Sequence, residues 1–192
     1  MSHLQAYLDT LACATAQAEA TTLAGETLPL DAAIDRAIEL FKAAHDAGNK
    51  IIIIGNGGSA GIASHTAIDF SKNAALRALA LNDSSALTCL GNDFGYEFVF
   101  SKQIEFHGNP NDVLIAISSS GKSPNIVNAV TAARARAIKV LTFSGFMPDN
   151  PLRATGDLNF YVNSKEYGFV EIAHQSLLHA MLDLKIGWRP DA

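Results

Sequence analysis

The sequence predicts a three-layer α/β protein: a central parallel sheet of about five strands, flanked by helices and preceded by N-terminal helices. Short apolar runs recur at 50–54, 78–81, 112–117, 139–143 and 158–162. Such uninterrupted apolarity suits parallel strands buried on both faces. Between them, 59–72, 84–90 with 97–105, and 124–137 have the composition and spacing of helices. The 192 residues are 48% hydrophobic and 17% charged, which supports one domain with a sizeable core and argues against disorder.

The elements follow in order. Residues 3–24 are rich in Ala, Leu and Thr, with Leu4, Tyr7, Leu8 and Leu11 at helical spacing. That apolar face needs a partner, either the sheet or another subunit. GETLPL at 25–30 reads as a break, and Asp31 then caps a second helix that runs through Ile34, Ile38 and Phe41 to a stop at Gly48. Residues 1–48 are therefore expected to be a helical extension of an α/β core at 49–186. A last helix spans about 167–186, and WRPDA reads as a loose tail.

Charge and cysteine usage narrow the function. Lys plus Arg number 14 against 19 Asp plus Glu, a net charge of -5 with no basic block, which disfavours duplex nucleic acid as a partner. No apolar stretch approaches the roughly 20 residues that cross a bilayer, and the N-terminus lacks a basic region before an apolar core. A soluble, unexported cytoplasmic chain is expected. Cys13 and Cys89 lack CxxC spacing and sit among apolar residues, so they read as reduced structural thiols.

Three constellations are able to carry chemistry. In IIIIGNGGSAGIASHTAID at 51–69 a strand runs into a glycine-rich turn and a helix that opens near Ser59. Glycines let backbone approach a ligand, and the helix start offers unpaired N–H groups to an anion such as phosphate. Gly55, Gly57 and Ala60 also fit a dinucleotide fingerprint, with Asp83 as its ribose-binding carboxylate; a tight turn without ligand is the plain alternative.

The second constellation is AISSSGKSPNIV at 116–127, with Ser123 as N-cap and Pro124 at the first helical position. It contains GKS, but Ala116 stands where a nucleotide-binding P-loop needs its leading glycine, which disfavours an ATPase. Hydroxyls at Ser118, Ser119, Ser120 and Ser123 crowd this turn and suit a monophosphate; turn chemistry alone accounts for one or two of them.

The third is imidazole and carboxylate. His65 and Asp69 share a helix face at i, i+4, and Glu171, His174 and His179 lie on the last helix. The spacing allows a divalent metal site or an acid and base pair, as well as ordinary surface residues. Asn92 and Asp93, in LGNDFGYE, sit in a Gly-bounded turn that is either plain or hydroxyl-binding.

From the helical preface through GNGGSAGIASH, LTCLGNDFG, ISSSGKS and EIAHQSLLH, the chain resembles the sugar isomerase (SIS) domain family, and within it the phosphoheptose isomerases, which convert sedoheptulose 7-phosphate into heptose 7-phosphate. The resemblance implies a substrate turn at Asn56, Gly57, Gly58 and Ser59, a second at Asn92 and Asp93, and phosphate-binding serines at Ser118, Ser119, Ser120 and Ser123. It implies a divalent metal, zinc by family habit, on His65, Asp69, Glu171 and His179. Asp69 and His179 become the acid/base pair, Glu171 a substitute base, and His174 either a residue that supports the ligands or a structural one. A homotetramer and a role in supplying heptose for surface polysaccharide are implied as well.

This chain departs from the family at three places. Asp69 stands for the usual Glu and Glu171 for the usual Gln. A carboxylate withdrawn by one methylene is able to cost about 100-fold in rate where the backbone does not compensate, while an added charge at Glu171 tightens a divalent cation. The family's arginine-rich segment is shortened to FSKNAALRALAL, leaving Lys72 and Arg77. Two rivals remain: a non-catalytic phosphosugar-binding member of the family, regulatory or associated with the bacterial replication initiator, and an isomerase for another ketose or aldose phosphate. A nicotinamide-dependent dehydrogenase leaves the serine turn without a role.

Overall fold

The computed structural model describes residues 1–189. In chain order the elements are α1 (His3–Ala16), β1 (Glu19–Thr22), β2 (Thr27–Leu28), α2 (Leu30–Asp46), β3 (Ile51–Gly55), α3 (Gly58–Ala74), β4 (Ala78–Ala80), α4 (Ser84–Phe94), α5 (Val99–His107), β5 (Val113–Ser118), α6 (Pro124–Ala135), β6 (Lys139–Ser144), β7 (Leu158–Tyr161) and α7 (Tyr167–Lys185). The five apolar runs are β3, β4, β5, β6 and β7, all mutually parallel.

Period-two alternation sorts their side chains between two cores. Ile51, Ile53, Ile115 and Phe143 pack with Phe41 of α2, Phe70 of α3 and Leu178 of α7, whereas Ile52, Ile54 and Leu114 pack with Phe100 and Ile104 of α5 and Ile126 of α6. Three layers result.

The sheet has seven strands, in the order β2-β1-β7-β6-β5-β3-β4. The expected helix over 3–24 ends at Ala16, and 19–28 forms a hairpin that adds to β7 antiparallel, pairing Glu19 with Tyr161 and Thr22 with Leu158. Local sequence gives little sign of this, because EATT continues a helix-compatible composition. The strand exists through what it meets: Asn159 Nδ2 donates to the carbonyls of Thr21 and Thr22, and Arg153 pairs with Glu19 while its guanidinium lies 3.9 Å above the Tyr161 ring.

Smaller corrections share this cause. Pro29, not Asp31, occupies the cap of α2. The helix expected over 84–90 runs on to Phe94, so Asn92 and Asp93 lie in its last turns and not in a turn of their own. Cys13 and Cys89 are free, as expected, but exposed. Of the WRPDA tail, residues 190–192 lie outside the described residues, while Trp188 N–H donates to the Asp183 carbonyl at 2.9 Å. Among the described residues no helix is long and apolar enough to cross a membrane.

β3 and β5 are neighbours, and the helices that follow them, α3 and α6, lie on opposite faces. The carboxyl ends of two such strands leave a crevice where ligands of open α/β sheets bind. The two sequence turns meet there.

Candidate active site

A cleft of about 230 Å³ opens at this point, lined by Asn56, Gly57, Gly58, Ser59, Ser118, Ser119, Ser120 and Ser123, with Ile117, Tyr167 and Glu171 completing it. One wall follows from Gly57, which holds φ 54°, a region open to glycine, and caps α3 without a side-chain bond. Ala60 N–H donates to Gly57 O at 3.0 Å, which leaves the first N–H groups of α3, those of Gly58 and Ser59, for a ligand. Asn56 is fixed by a reciprocal amide pair with Asn125, 2.9 Å in both directions, and accepts from Tyr96 Oη at 3.3 Å. These bonds tie the glycine turn to α6.

The opposite wall is the serine turn. Ser118 and Ser119 are each 5% exposed. Among the described residues Ser119 Oγ has no partner, and the Ser118 and Ser123 hydroxyls lie 3.2 Å apart. Ser123 occupies the N-cap of α6, as expected, yet its hydroxyl makes no cap bond. A buried hydroxyl without a partner costs on the order of 1–3 kcal/mol unless a ligand satisfies it. The turn rests on residues after β6: Gly145 N–H donates to Ser119 O, Leu152 N–H donates to Gly121 O, and a Cβ at Gly121 would fall onto the buried Asn150 amide.

His174 is completely buried, with Nε2 3.1 Å from Ser144 O. That ring nitrogen donates to the carbonyl, and burial pushes the imidazole pKa down to about 4, so it stays neutral. His174 is structural.

Glu171 enters from α7. A Cβ at Gly58 would collide with its carboxylate, which places that carboxylate at the start of α3. Farther along the same two helices, Asp69 Oδ2 lies 2.9 Å from His65 Nε2 and 3.9 Å from His179 Nδ1, and the two imidazoles meet edge-on at 5.2 Å. One ligand atom from each of His65, Asp69 and His179 falls within 4.8 Å of the others. Two imidazole nitrogens and a carboxylate oxygen suit zinc or a related ion. Glu171, expected as the fourth ligand, lies outside this trio.

The cleft thus gathers Asn56, Gly57, Gly58, Ser59, the four serines and Glu171, while His65, Asp69 and His179 gather separately. Asn92 and Asp93 do not line it; they bond to one another, Asn92 Nδ2 to Asp93 Oδ1 at 2.8 Å, on the exposed side of α4. Asp83, the ribose carboxylate of the dehydrogenase reading, instead caps α4 by accepting from Ala86 N–H at 2.8 Å. Tyr167 was missed from the sequence. It stands four residues before Glu171, a helical spacing that shares a face and would have flagged it.

Residues 17–145 match the SIS domain family. A phosphoheptose isomerase of Campylobacter jejuni is 39% identical over 168 residues, covering 84% of this chain and 90% of that protein. One from Citrifermentans bemidjiense is 35% identical over 170 residues, 85% and 86% of the two chains. The solved phosphoheptose isomerase of Neisseria gonorrhoeae superposes with a TM-score of 0.82 at 33% identity, over 95% of this chain and 97% of that one. This chain belongs to the SIS domain family and, within it, to the phosphoheptose isomerases.

Proposed function

We propose that the chain is an aldose–ketose isomerase that interconverts sedoheptulose 7-phosphate and D-glycero-D-manno-heptose 7-phosphate through an enediol, as a cytoplasmic homotetramer. The observation that carries this reading is the cleft itself: a buried, unpartnered serine hydroxyl at one side and the Glu171 carboxylate at the other. The serine turn and the start of α3 anchor the phosphate, so binding energy remote from the reacting carbons sets their position.

The isomerisation moves a proton between the two carbons of the enediol and another between their oxygens. Glu171 faces the cleft and stands outside the His65, Asp69 and His179 trio, so it is assigned the carbon proton. His179, whose Nδ1 lies 3.9 Å from Asp69 Oδ2, is assigned the oxygens. His65, Asp69 and His179 would hold a zinc-type ion, which would supply polarisation of the carbonyl. The tetramer covers exposed apolar side chains such as Leu4 and Leu8 of α1 and Ile172 of α7.

The test is deuterium uptake from deuterium oxide at the carbon next to the carbonyl of sedoheptulose 7-phosphate, followed by NMR with and without added zinc. Glu171→Gln is expected to abolish exchange while leaving zinc affinity within a few-fold. Asp69→Ala is expected to weaken zinc binding about 100-fold or more, since loss of even a supporting residue costs 10- to 100-fold. No exchange by the parent protein with any metal, despite sugar phosphate binding, would transfer the reading to a regulatory binder.

A further inference from the structure

Among the described residues that line the cleft, the one large exposed apolar surface is the ring of Tyr167, which is 60% exposed. It begins α7 and lies four residues, about 6 Å of helix rise, before Glu171. Behind it stands Phe146, edge-on to Tyr167 with ring centroids 4.8 Å apart and planes at 76°.

Phe146 is held firmly. Its φ of 60° is a left-handed conformation that a bulky residue keeps at a cost of about 1–3 kcal/mol, and only where the surroundings over-determine it. The surroundings are present: Phe146 N–H donates to Ser164 O at 2.8 Å, and its carbonyl accepts from the buried Tyr161 hydroxyl at 3.1 Å. These two bonds fix the Phe146 backbone, and so the point from which its ring reaches Tyr167.

We propose that Tyr167, buttressed by Phe146, is a specificity-determining residue: the wall along which the carbon chain of a phosphosugar lies, which selects chains long enough to carry the carbonyl from the serine turn to Glu171. The inference rests on the phosphosugar reading of the cleft. With the phosphate held at one end, chain length decides whether the carbonyl reaches the carboxylate. An aromatic face between the two rewards each additional C–H group that packs on it. The Ser118 and Ser119 end fixes charge, whereas Tyr167 measures length.

The test is calorimetric titration of the parent protein, Tyr167→Phe and Tyr167→Ala with inorganic phosphate and with ketose phosphates of five, six and seven carbons: ribulose 5-phosphate, fructose 6-phosphate and sedoheptulose 7-phosphate. The parent is expected to favour the seven-carbon sugar. Tyr167→Ala should lose affinity for it about tenfold, the scale of one methylene in a pocket, and bind all three sugars alike. Its affinity for inorganic phosphate should stay within twofold, and Tyr167→Phe should behave as the parent. A length preference that survives in Tyr167→Ala would overturn the assignment, as would an equal loss for inorganic phosphate, which reports a collapsed cleft. If the parent itself fails to bind inorganic phosphate, the phosphosugar reading falls and this inference with it, an outcome distinct from phosphate binding without length selection.

Discussion

The two ends of the site are built differently. The serine turn is enclosed: Ser118 and Ser119 are nearly inaccessible, its carbonyls are bonded by Gly145 and Leu152, and the neighbouring Ser144 carbonyl is bonded by the buried, neutral His174. The imidazole and carboxylate end is open, with the His65 side chain 56% exposed and that of His179 38% exposed, next to the exposed Ile68 and Ile172. Binding of an anion needs donors pre-arranged out of water, and the interior supplies them. Proton transfer and metal ligation need groups that remain titratable and reachable, and a surface between two helices supplies those. The contrast teaches that the serine turn buries its hydroxyls within this chain's own fold, whereas the imidazole and carboxylate end leaves its groups at the surface between α3 and α7.

The sharpest way to separate the two ends is to remove one of them. His179→Ala should lower the deuterium-exchange rate about 10²- to 10⁴-fold, the usual weight of a general acid or base, with inorganic phosphate affinity unchanged by calorimetry. A parallel loss of phosphate binding would show that the ends are one unit.

The buried His174 should carry a pH dependence of stability. His174 has a folded pKa of about 4 against an ordinary 6.5. Above pH 6.5 it is neutral in both states and contributes no slope. Between pH 6.5 and 4 the unfolded chain binds a proton that the folded chain refuses, so stability falls as pH falls, by on the order of 3 kcal/mol in all. Urea unfolding at pH 7 and at pH 5 checks this, and a His174→Phe variant should flatten the slope.

Ser119→Ala should weaken inorganic phosphate about tenfold or more, because a hydrogen bond to a charged group contributes roughly 1.5–3 kcal/mol. Saturating exchange rates should hold within a few-fold, and urea stability should not fall, since the lost hydroxyl has no partner among the described residues. The smallest effect belongs to Gly58→Ala. The new methyl displaces the flexible end of Glu171 and leaves the backbone in place, so folding should be unchanged by circular dichroism while exchange slows several-fold, within the 100-fold that a displacement of about 1 Å is able to cost.

Much of this molecule is legible residue by residue. The apolar runs at 51–54 and 113–117 announce buried parallel strands, and Ser123-Pro124 announces the start of α6. The serine turn and the glycine turn are legible as ligand loops because each follows such a strand and opens such a helix. The hairpin at 19–28 was not, since its strand propensity is weak and its hydrogen bonds come from the edge of β7, some 140 residues away in sequence. Nor was the fate of Asn92 and Asp93: a helix that ends at Gly95 uses the same residue types as a turn bounded by glycine.

The sequence by itself determined the class of fold, the two turns that meet at the crevice, and the residue types of an acid, base and metal chemistry, because periodicity and turn composition act over a few residues at a time. Only the tertiary structure decided which of these groups share a space: that Glu171 rests at the start of α3 while His65, Asp69 and His179 cluster apart, and that Tyr167 faces the cleft with Phe146 behind it. Those distances are set by how α3 and α7 pack on the sheet, a sum over many buried side chains that no local pattern encodes.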